Sequence, residues 1–536
     1  MTIREQVLDI IARNGERTFL VDAVSGREIT YKEFHRSACK LAGELRRRGL
    51  GRGDRLAVMV PNCCELATLY FACMYIGATI VPINPNLSSS DVRFILSSCR
   101  PRFVIASAVL RDRLTGTDTA LIPLVTAQDR AGSTGTPSEA IDIAVLPERP
   151  EFLSLEKSDE KDLLVVVYTS GTTAKPKGLA HRIGSMFRNA RAFAGKQGID
   201  DSSRFYLTLS MAYMGGFYNL LLLPFLHGAS VVIDHVFDAR SSLNFWDRTS
   251  RHQANTLWFA PTVMSILMKM DRGTLGEEFC RRAVRHSFVG FAPLTVKLKE
   301  DFEARYGVHL IENYGLSETL FVTARSGADQ SGTGYVGEAL PGIALRIVGD
   351  NGSPLSPGSD GEIQILSPDL MAGYLDDQGH LAEVNAGEWF STGDYGHLDQ
   401  GGALFVTGRK KDIIIRGGVN VSPAAIEEAL LHANGIADVA VVSIPHELYG
   451  EDVVAVLKLE PGIELETILE AVMERAKREL AAQQQPARYI AIDEFPRTAN
   501  GKVQKTQLRQ LVLGKLQIGS GSVSRARPVD AAKVLN

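Results

Sequence analysis

The sequence predicts an α/β protein of two or more domains, and three observations carry that expectation. At 536 residues the chain exceeds what one hydrophobic core usually serves. Between residues 30 and 84, strand-like apolar runs alternate with helical patterns, the order that builds a parallel sheet. Beyond RKKD (409 to 412), where charge interrupts two apolar stretches, a strand, helix and strand pattern starts again.

In chain order, Phe34, Ala38, Leu41, Ala42 and Leu45 recur at the spacing of one helix face, with Thr30 as N-cap and Gly49 as the stop. RLAVMV (55 to 60) reads as a buried strand, Leu66 to Ile76 as a helix, and ATIVPIN (78 to 84) as a second strand. From about Thr115 to Lys161 the pattern dissolves into small and polar residues and reads as surface connection before a strand from Leu163 to Tyr168. In the C-terminal part, Ser422 is the expected N-cap, Pro423 the first helical residue, Ile426, Leu430 and Leu431 the buried face, and Gly435 lies beyond the end. The expected units are a large N-terminal domain (1–407), a junction (408–412), a small C-terminal domain (413–515) and a frayed tail (516–536).

Apolar residues make up 45% and charged residues 22%, which fits an ordinary globular protein and excludes a disordered chain. The net charge of −4 lacks the basic excess of a nucleic-acid-binding protein, so small molecules are the expected partners. Cysteines 39, 63, 64, 73, 99 and 280 include no CxxC pair and read as buried apolar side chains, not as zinc ligands. With no signal-peptide pattern and no apolar run of membrane-spanning length, a cytoplasmic location is expected.

The sharpest local signal is YTSGTTAKPKG (168 to 178), placed directly after an apolar strand. Hydroxyls of Thr169, Ser170, Thr172 and Thr173, backbone amides freed by Gly171 and other small residues, and the cations Lys175 and Lys177 suit a polyphosphate. The GxxxxGK[ST] spacing of a Walker loop is absent, and a plain turn is the alternative. Two other strings are decoys. GTGYVG (332 to 337) follows a polar stretch instead of the strand a dinucleotide fingerprint requires, and His446-Glu447 has Gly450 where a metalloprotease needs a second His.

Together with ENYGLSET (312 to 319), STGDYGHLD (391 to 399), GRKKDIIIRGGVNVSP (408 to 423) and PRTANGKVQK (496 to 505), the loop resembles the adenylate-forming superfamily over about residues 20 to 515. The order and spacing of the motifs resemble those of that superfamily, and the residues considered below point to its acyl-CoA synthetase branch. The resemblance implies a large N-terminal domain with mixed and parallel sheets and a small, mobile α+β C-terminal domain. The activity it implies is ATP-dependent conversion of a carboxylic acid to acyl-AMP, then thioester formation with coenzyme A. Glu318 would hold Mg²⁺, a role suited to a hard oxygen donor. Tyr314 would stack on adenine beside Ala292 and Pro293, within the stretch Glu312, Asn313, Gly315 and Ser317. Asp394 would take the ribose hydroxyls with Arg409 beside it, and Lys502 would be the catalytic lysine. Lys411 falls at the hinge position, with a solvated surface lysine as the alternative.

LSMAYMGG (209 to 216) lacks the Asp that pairs with an α-ammonium in amino-acid-activating relatives, which argues against such a substrate. The resemblance places the acyl pocket around Tyr213, Gly216, Phe291 and Gly315, with Trp258 in a neighbouring segment. Phe291, in place of a smaller residue, would shorten or reshape that pocket. Gly417, Gly418 and Asn420 resemble the GGxN stretch at the pantetheine tunnel. Val419 stands where Glu is common, and with Arg416 nearby this leaves a separate carrier protein open as the thiol acceptor.

Overall fold

The computed structural model describes residues 2–107, 110, 113–114, 119–132, 139–147, 158–169, 176–292, 294–325, 334–497, 503–518 and 523–525. Among the described residues, strands form sheets of 13, 8 and 6 members. The eight-stranded sheet contains the strands anticipated from the sequence. Arg55–Met59, Thr79–Pro82, Phe103–Ser107 and Leu163–Thr169 run parallel to their neighbours, and Lys177–Arg182 turns back antiparallel on the last of these. In the thirteen-stranded sheet, a parallel half that includes Thr256–Phe259 and His286–Val289 changes to an antiparallel half where Leu310–Leu316 meets Leu320–Ala324. The α/β class and the mixed sheets are therefore as expected.

Helices lie between the two large sheets. Tyr31–Arg47 begins at Thr30 with a full capping box: Glu33 N–H donates to the Thr30 hydroxyl, and Thr30 N–H donates to the Glu33 carboxylate. Cys64–Ile76 has all 13 of its residues buried. It shares one apolar cluster with Leu56 and Ile80 of one sheet and Leu20 and Phe205 of the other, so it has no face for polar residues to occupy. All six cysteines are buried free thiols, and burial pushes the Cys39 thiol up to about 11.

The C-terminal segment has its own six-stranded sheet, with two apolar clusters drawn from Ile414 onward. Arg416 is fixed inside it. Its guanidinium pairs with Asp452 at 2.9 Å, donates to the carbonyls of Gln483 and Gln485, and lies over the Tyr449 ring. This residue holds the small domain together.

Two expectations are corrected and a third is refined. Leu121–Leu124 is a parallel edge strand beside Phe103–Ser107, inside the stretch read as surface connection. Four apolar residues at a sheet edge are too short a run to stand out from polar flanks. Ser422 is the N-cap residue of the helix Pro423–Leu431, as expected, but its hydroxyl makes no capping hydrogen bond; it donates to the Thr407 carbonyl at 2.6 Å and so ties the helix entrance to the strand Leu404–Arg409. The tail is not frayed from residue 516: a helix runs to Ile518, and Val523–Arg525 pairs antiparallel with Arg488–Ala491.

Replacing Arg416 with Ala leaves the Asp452 carboxylate buried without its cation. The expected loss is about 3 kcal/mol in the unfolding of the C-terminal domain, measured by urea titration followed by limited proteolysis.

Candidate active site

The phosphate motif begins on one strand of an antiparallel hairpin and ends on the other, with Thr169 and Lys177 as register partners. Ser170, Gly171, Thr172 and Thr173 lie outside the described residues, as do Pro293 and Lys502. Gly178 is required beside the tip, because a Cβ there would meet the Tyr168 ring at 2.8 Å. The short strand Gly373–Leu375 lies against the hairpin, with Tyr374 opposite Leu179. Its phenol donates to the Glu318 carboxylate at 2.9 Å, and the Lys177 ammonium stands 5.7 Å from its ring centroid. A cation of the phosphate motif, a phenol and the expected magnesium carboxylate thus converge. Burial and the adjacent Glu318 charge raise the Tyr374 phenol well above its ordinary range, so it stays a donor at neutral pH.

The backbone that carries Ser317 and Glu318 is held from both sides. Met371 N–H donates to the Glu318 carbonyl at 2.8 Å, and His181 Nε2 lies 2.6 Å from the Ser317 carbonyl. A carbonyl only accepts, so the proton belongs on Nε2 of a neutral ring. His181 is fully buried, and desolvation lowers its pKa to about 4.

The nucleotide side is a buried cluster. Asp394, 3% exposed, accepts from the Tyr314 phenol at 2.7 Å and pairs with Arg409 Nε at 2.7 Å. Asp394 and Arg409 are register partners on adjacent antiparallel strands. Glu312 points elsewhere: it is buried and paired with Lys299 at 2.7 Å, with burial raising its pKa. Ala292 is half-buried next to Phe291.

On the acyl side, the Tyr213 hydroxyl accepts from the Asn84 amide at 3.1 Å, and a π-helical segment, Gly215–Leu222, follows. Gly216 is obligatory, since a Cβ would stand 2.2 Å from the Ser210 carbonyl oxygen. Gly315 is equally constrained, with the Leu320 carbonyl oxygen 2.1 Å from a would-be Cβ. Phe291 has a φ of 72°, a conformation that costs a bulky residue about 1–3 kcal/mol. Its ring covers Gly215, where a Cβ would come within 2.7 Å of it, and lies 6.3 Å from Trp258.

On the C-terminal side, Lys411 is exposed in a single 3₁₀ turn, Lys410–Asp412, while Lys410 pairs with Glu362. Gly417 and Gly418, at φ of 60° and 82°, form a two-residue hairpin turn that L-residues resist. The Asn420 amide reaches the Tyr395 hydroxyl at 3.4 Å. No motif marks Tyr374, which lies 56 residues from Glu318 on a three-residue strand. His181 was equally silent, although its position on the strand leaving the phosphate motif was a usable signal.

The convergence of Lys177, Tyr374 and Glu318 and the buried cluster of Tyr314, Asp394 and Arg409 are the arrangement expected of a nucleotide-activating enzyme. Comparison with known proteins gives the family. The profile of the AMP-binding enzyme family matches residues 7–375, and that of the AMP-binding enzyme C-terminal domain matches residues 425–502. Indoleacetate–CoA ligase of Aromatoleum aromaticum is 32% identical over 91% of this chain and 94% of its own. Sulfoacetate–CoA ligase of Cupriavidus necator is 30% identical over 92% and 94%. Among solved structures, ATP-bound MatB of Rhodopseudomonas palustris superposes with a TM-score of 0.83 at 25% identity, covering 95% of this chain and 99% of that one. The anthranilate CoA ligase AuaEII with anthranoyl-AMP shares the fold, with a TM-score of 0.83 at 22% identity over 97% and 98% of the two chains. The chain belongs to the AMP-binding enzyme family, in the acyl-CoA synthetase branch of the adenylate-forming superfamily.

Two outcomes are expected. Tyr374→Phe frees Glu318 from its donor and lowers kcat/KM for Mg-ATP about ten-fold, read by pyrophosphate release. His181 is neutral when folded and protonates more readily when unfolded, so its contribution to stability is lost as pH falls from about 6.5 to about 4. The slope is about 1.4 kcal/mol per pH unit, and His181→Gln removes that part of the acid sensitivity in denaturant titrations.

Proposed function

We infer that the chain activates a carboxylic acid with ATP and transfers the acyl group to coenzyme A, in the cytoplasm where both are supplied. The carboxylate oxygen attacks the α-phosphorus, the bond to the bridging oxygen of the β-phosphate breaks, and pyrophosphate leaves with that electron pair. The thiol sulfur of coenzyme A then attacks the acyl carbon, its proton is lost to solvent, and AMP leaves. The observation that carries this reading is the meeting of Lys177, Tyr374 and Glu318 where the strand Gly373–Leu375 lies against the phosphate hairpin.

Glu318 fits Mg²⁺, an ion that takes one or two protein carboxylates and completes its shell with phosphate oxygens and water. When bound, the ion neutralises phosphate charge. Tyr374 orients the Glu318 carboxylate, and the contacts from His181 and Met371 fix the backbone that presents it. Two anions must approach in the first step, and Lys502 is the cation proposed to stabilise their transition state. Lys411, exposed in its single turn, is the proposed pivot for the C-terminal domain between the two half-reactions. Gly417, Gly418 and Asn420 are proposed to border the path of the pantetheine arm.

Mass spectrometry of products formed from Mg-ATP and a panel of aliphatic and aromatic acids, with and without coenzyme A, tests the reading. Acyl-CoA from one class of acid supports it. Acyl-AMP that accumulates despite coenzyme A rejects coenzyme A as acceptor in favour of a carrier protein. Lys502→Ala is expected to lower adenylate formation at least 100-fold while ATP binding persists, and Lys411→Pro to slow only thioester formation; equal slowing of both steps removes the hinge role.

A further inference from the structure

The acyl side contains one polar atom that the fold leaves unused. Trp258, 3% exposed, packs among Phe193, Phe288 and Phe321, with ring centroids 5.6, 4.6 and 5.6 Å away. Its Nε1–H has no hydrogen-bond partner among the described residues. Buried indole donors are normally paired, so an orphan calls for a partner from outside the chain.

The geometry around Gly290 shows where that donor lies. A Cβ on Gly290 would be 3.7 Å from Trp258 Nε1, 3.6 Å from Asn313 Oδ1 and 3.8 Å from the Asn313 amide nitrogen, so the indole donor and the Asn313 side chain flank a backbone position that carries no side chain. The Asn313 amide nitrogen donates to the Val289 carbonyl at 3.3 Å, which sets the orientation of that side chain and leaves its oxygen toward the gap. Phe291, one residue on, has its ring centroid 6.3 Å from that of Trp258 and is itself held in a strained conformation over Gly215. The notch is thus made of a donor, an acceptor and a missing side chain between aromatic walls.

We propose that this notch recognises a hydroxyl or ring heteroatom on the substrate acid, which takes a hydrogen bond from Trp258 Nε1. A hydroxyl satisfies both groups by donating in turn to Asn313 Oδ1. The favoured substrate is then a flat, aromatic-type carboxylic acid carrying such an atom, in preference to the matching hydrocarbon acid. A site that leaves a buried donor unpaired discriminates strongly against the analogue that lacks the acceptor, whereas an apolar pocket separates close analogues only weakly. This inference rests on the acid-activating function proposed above.

The test measures pyrophosphate release with matched acids: benzoate against its three hydroxybenzoates and the pyridinecarboxylates, and naphthylacetate against indoleacetate. At least one acceptor-bearing acid is expected to exceed its hydrocarbon partner about 100-fold in kcat/KM, and Trp258→Phe is expected to bring that ratio toward one. Adenylation with no preference in the wild type overturns the proposal, as does a preference that survives in folded Trp258→Phe. A second measurement does not depend on the variant. In enzyme labelled with ¹⁵N-tryptophan, one of the three indole signals should move downfield with the preferred acid and stay in place with its hydrocarbon partner; absence of that shift overturns the proposal. If no acid on any panel yields acyl-AMP, the acid-activating reading itself falls, and this inference with it.

Discussion

The buried carboxylate of Asp394 sets the geometry of the nucleotide side. It is held from one direction by the Tyr314 phenol and from the other by the Arg409 guanidinium, which belongs to the adjacent antiparallel strand. An ionised carboxylate at this depth is stable only with such partners. The same ion pair fixes the end of the strand Leu404–Arg409, from which the chain enters the turn Lys410–Asp412 and then the C-terminal sheet. The Asp394 cluster and the proposed domain junction therefore share one interaction, at a strand end whose register is fixed.

The small domain meets the large one through a few polar contacts. These include the Ser422 hydroxyl on the Thr407 carbonyl, the Asn420 amide on Tyr395, and Val296 N–H on the Glu428 carboxylate. Its apolar clusters, by contrast, are complete within itself. Exchanging a handful of hydrogen bonds near solvent costs little, whereas breaking a shared apolar core would cost much. That balance suits a domain proposed to serve two half-reactions.

Much of the architecture was legible because local and global signals agree. Thr30 sits at a helix start with Glu33 three residues on, and the apolar stretch Cys64–Ile76 becomes a helix buried on every side. The motif residues Thr169, Lys177, Glu318, Tyr314, Asp394 and Arg409 were found because they are close in sequence to other motif residues. Tyr374 and Trp258 were harder, since their roles arise from strands brought together by the fold: Tyr374 reaches Glu318 only through pairing with the phosphate hairpin, and the Trp258 donor acquires meaning only beside Gly290 and Asn313. Ser422 is the N-cap residue that local sequence indicates, but a carbonyl from another strand takes the hydroxyl that would otherwise bond to its own helix. Arg416, read beside Val419 as a departure bearing on the thiol acceptor, is buried against Asp452 and belongs to the packing of the small domain.

Phe291 gives the acyl side an unusual relation between robustness and selectivity. Most binding sites become more permissive by losing packing, and so lose stability as they broaden. Here the restricting ring is attached to a backbone position whose φ of 72° suits glycine. Replacing Phe291 with glycine relaxes the chain and widens the space over Gly215 in the same step. Broadening the range of acids is thus the thermodynamically easy direction for this scaffold, and narrowness is the state that has to be maintained against conformational strain.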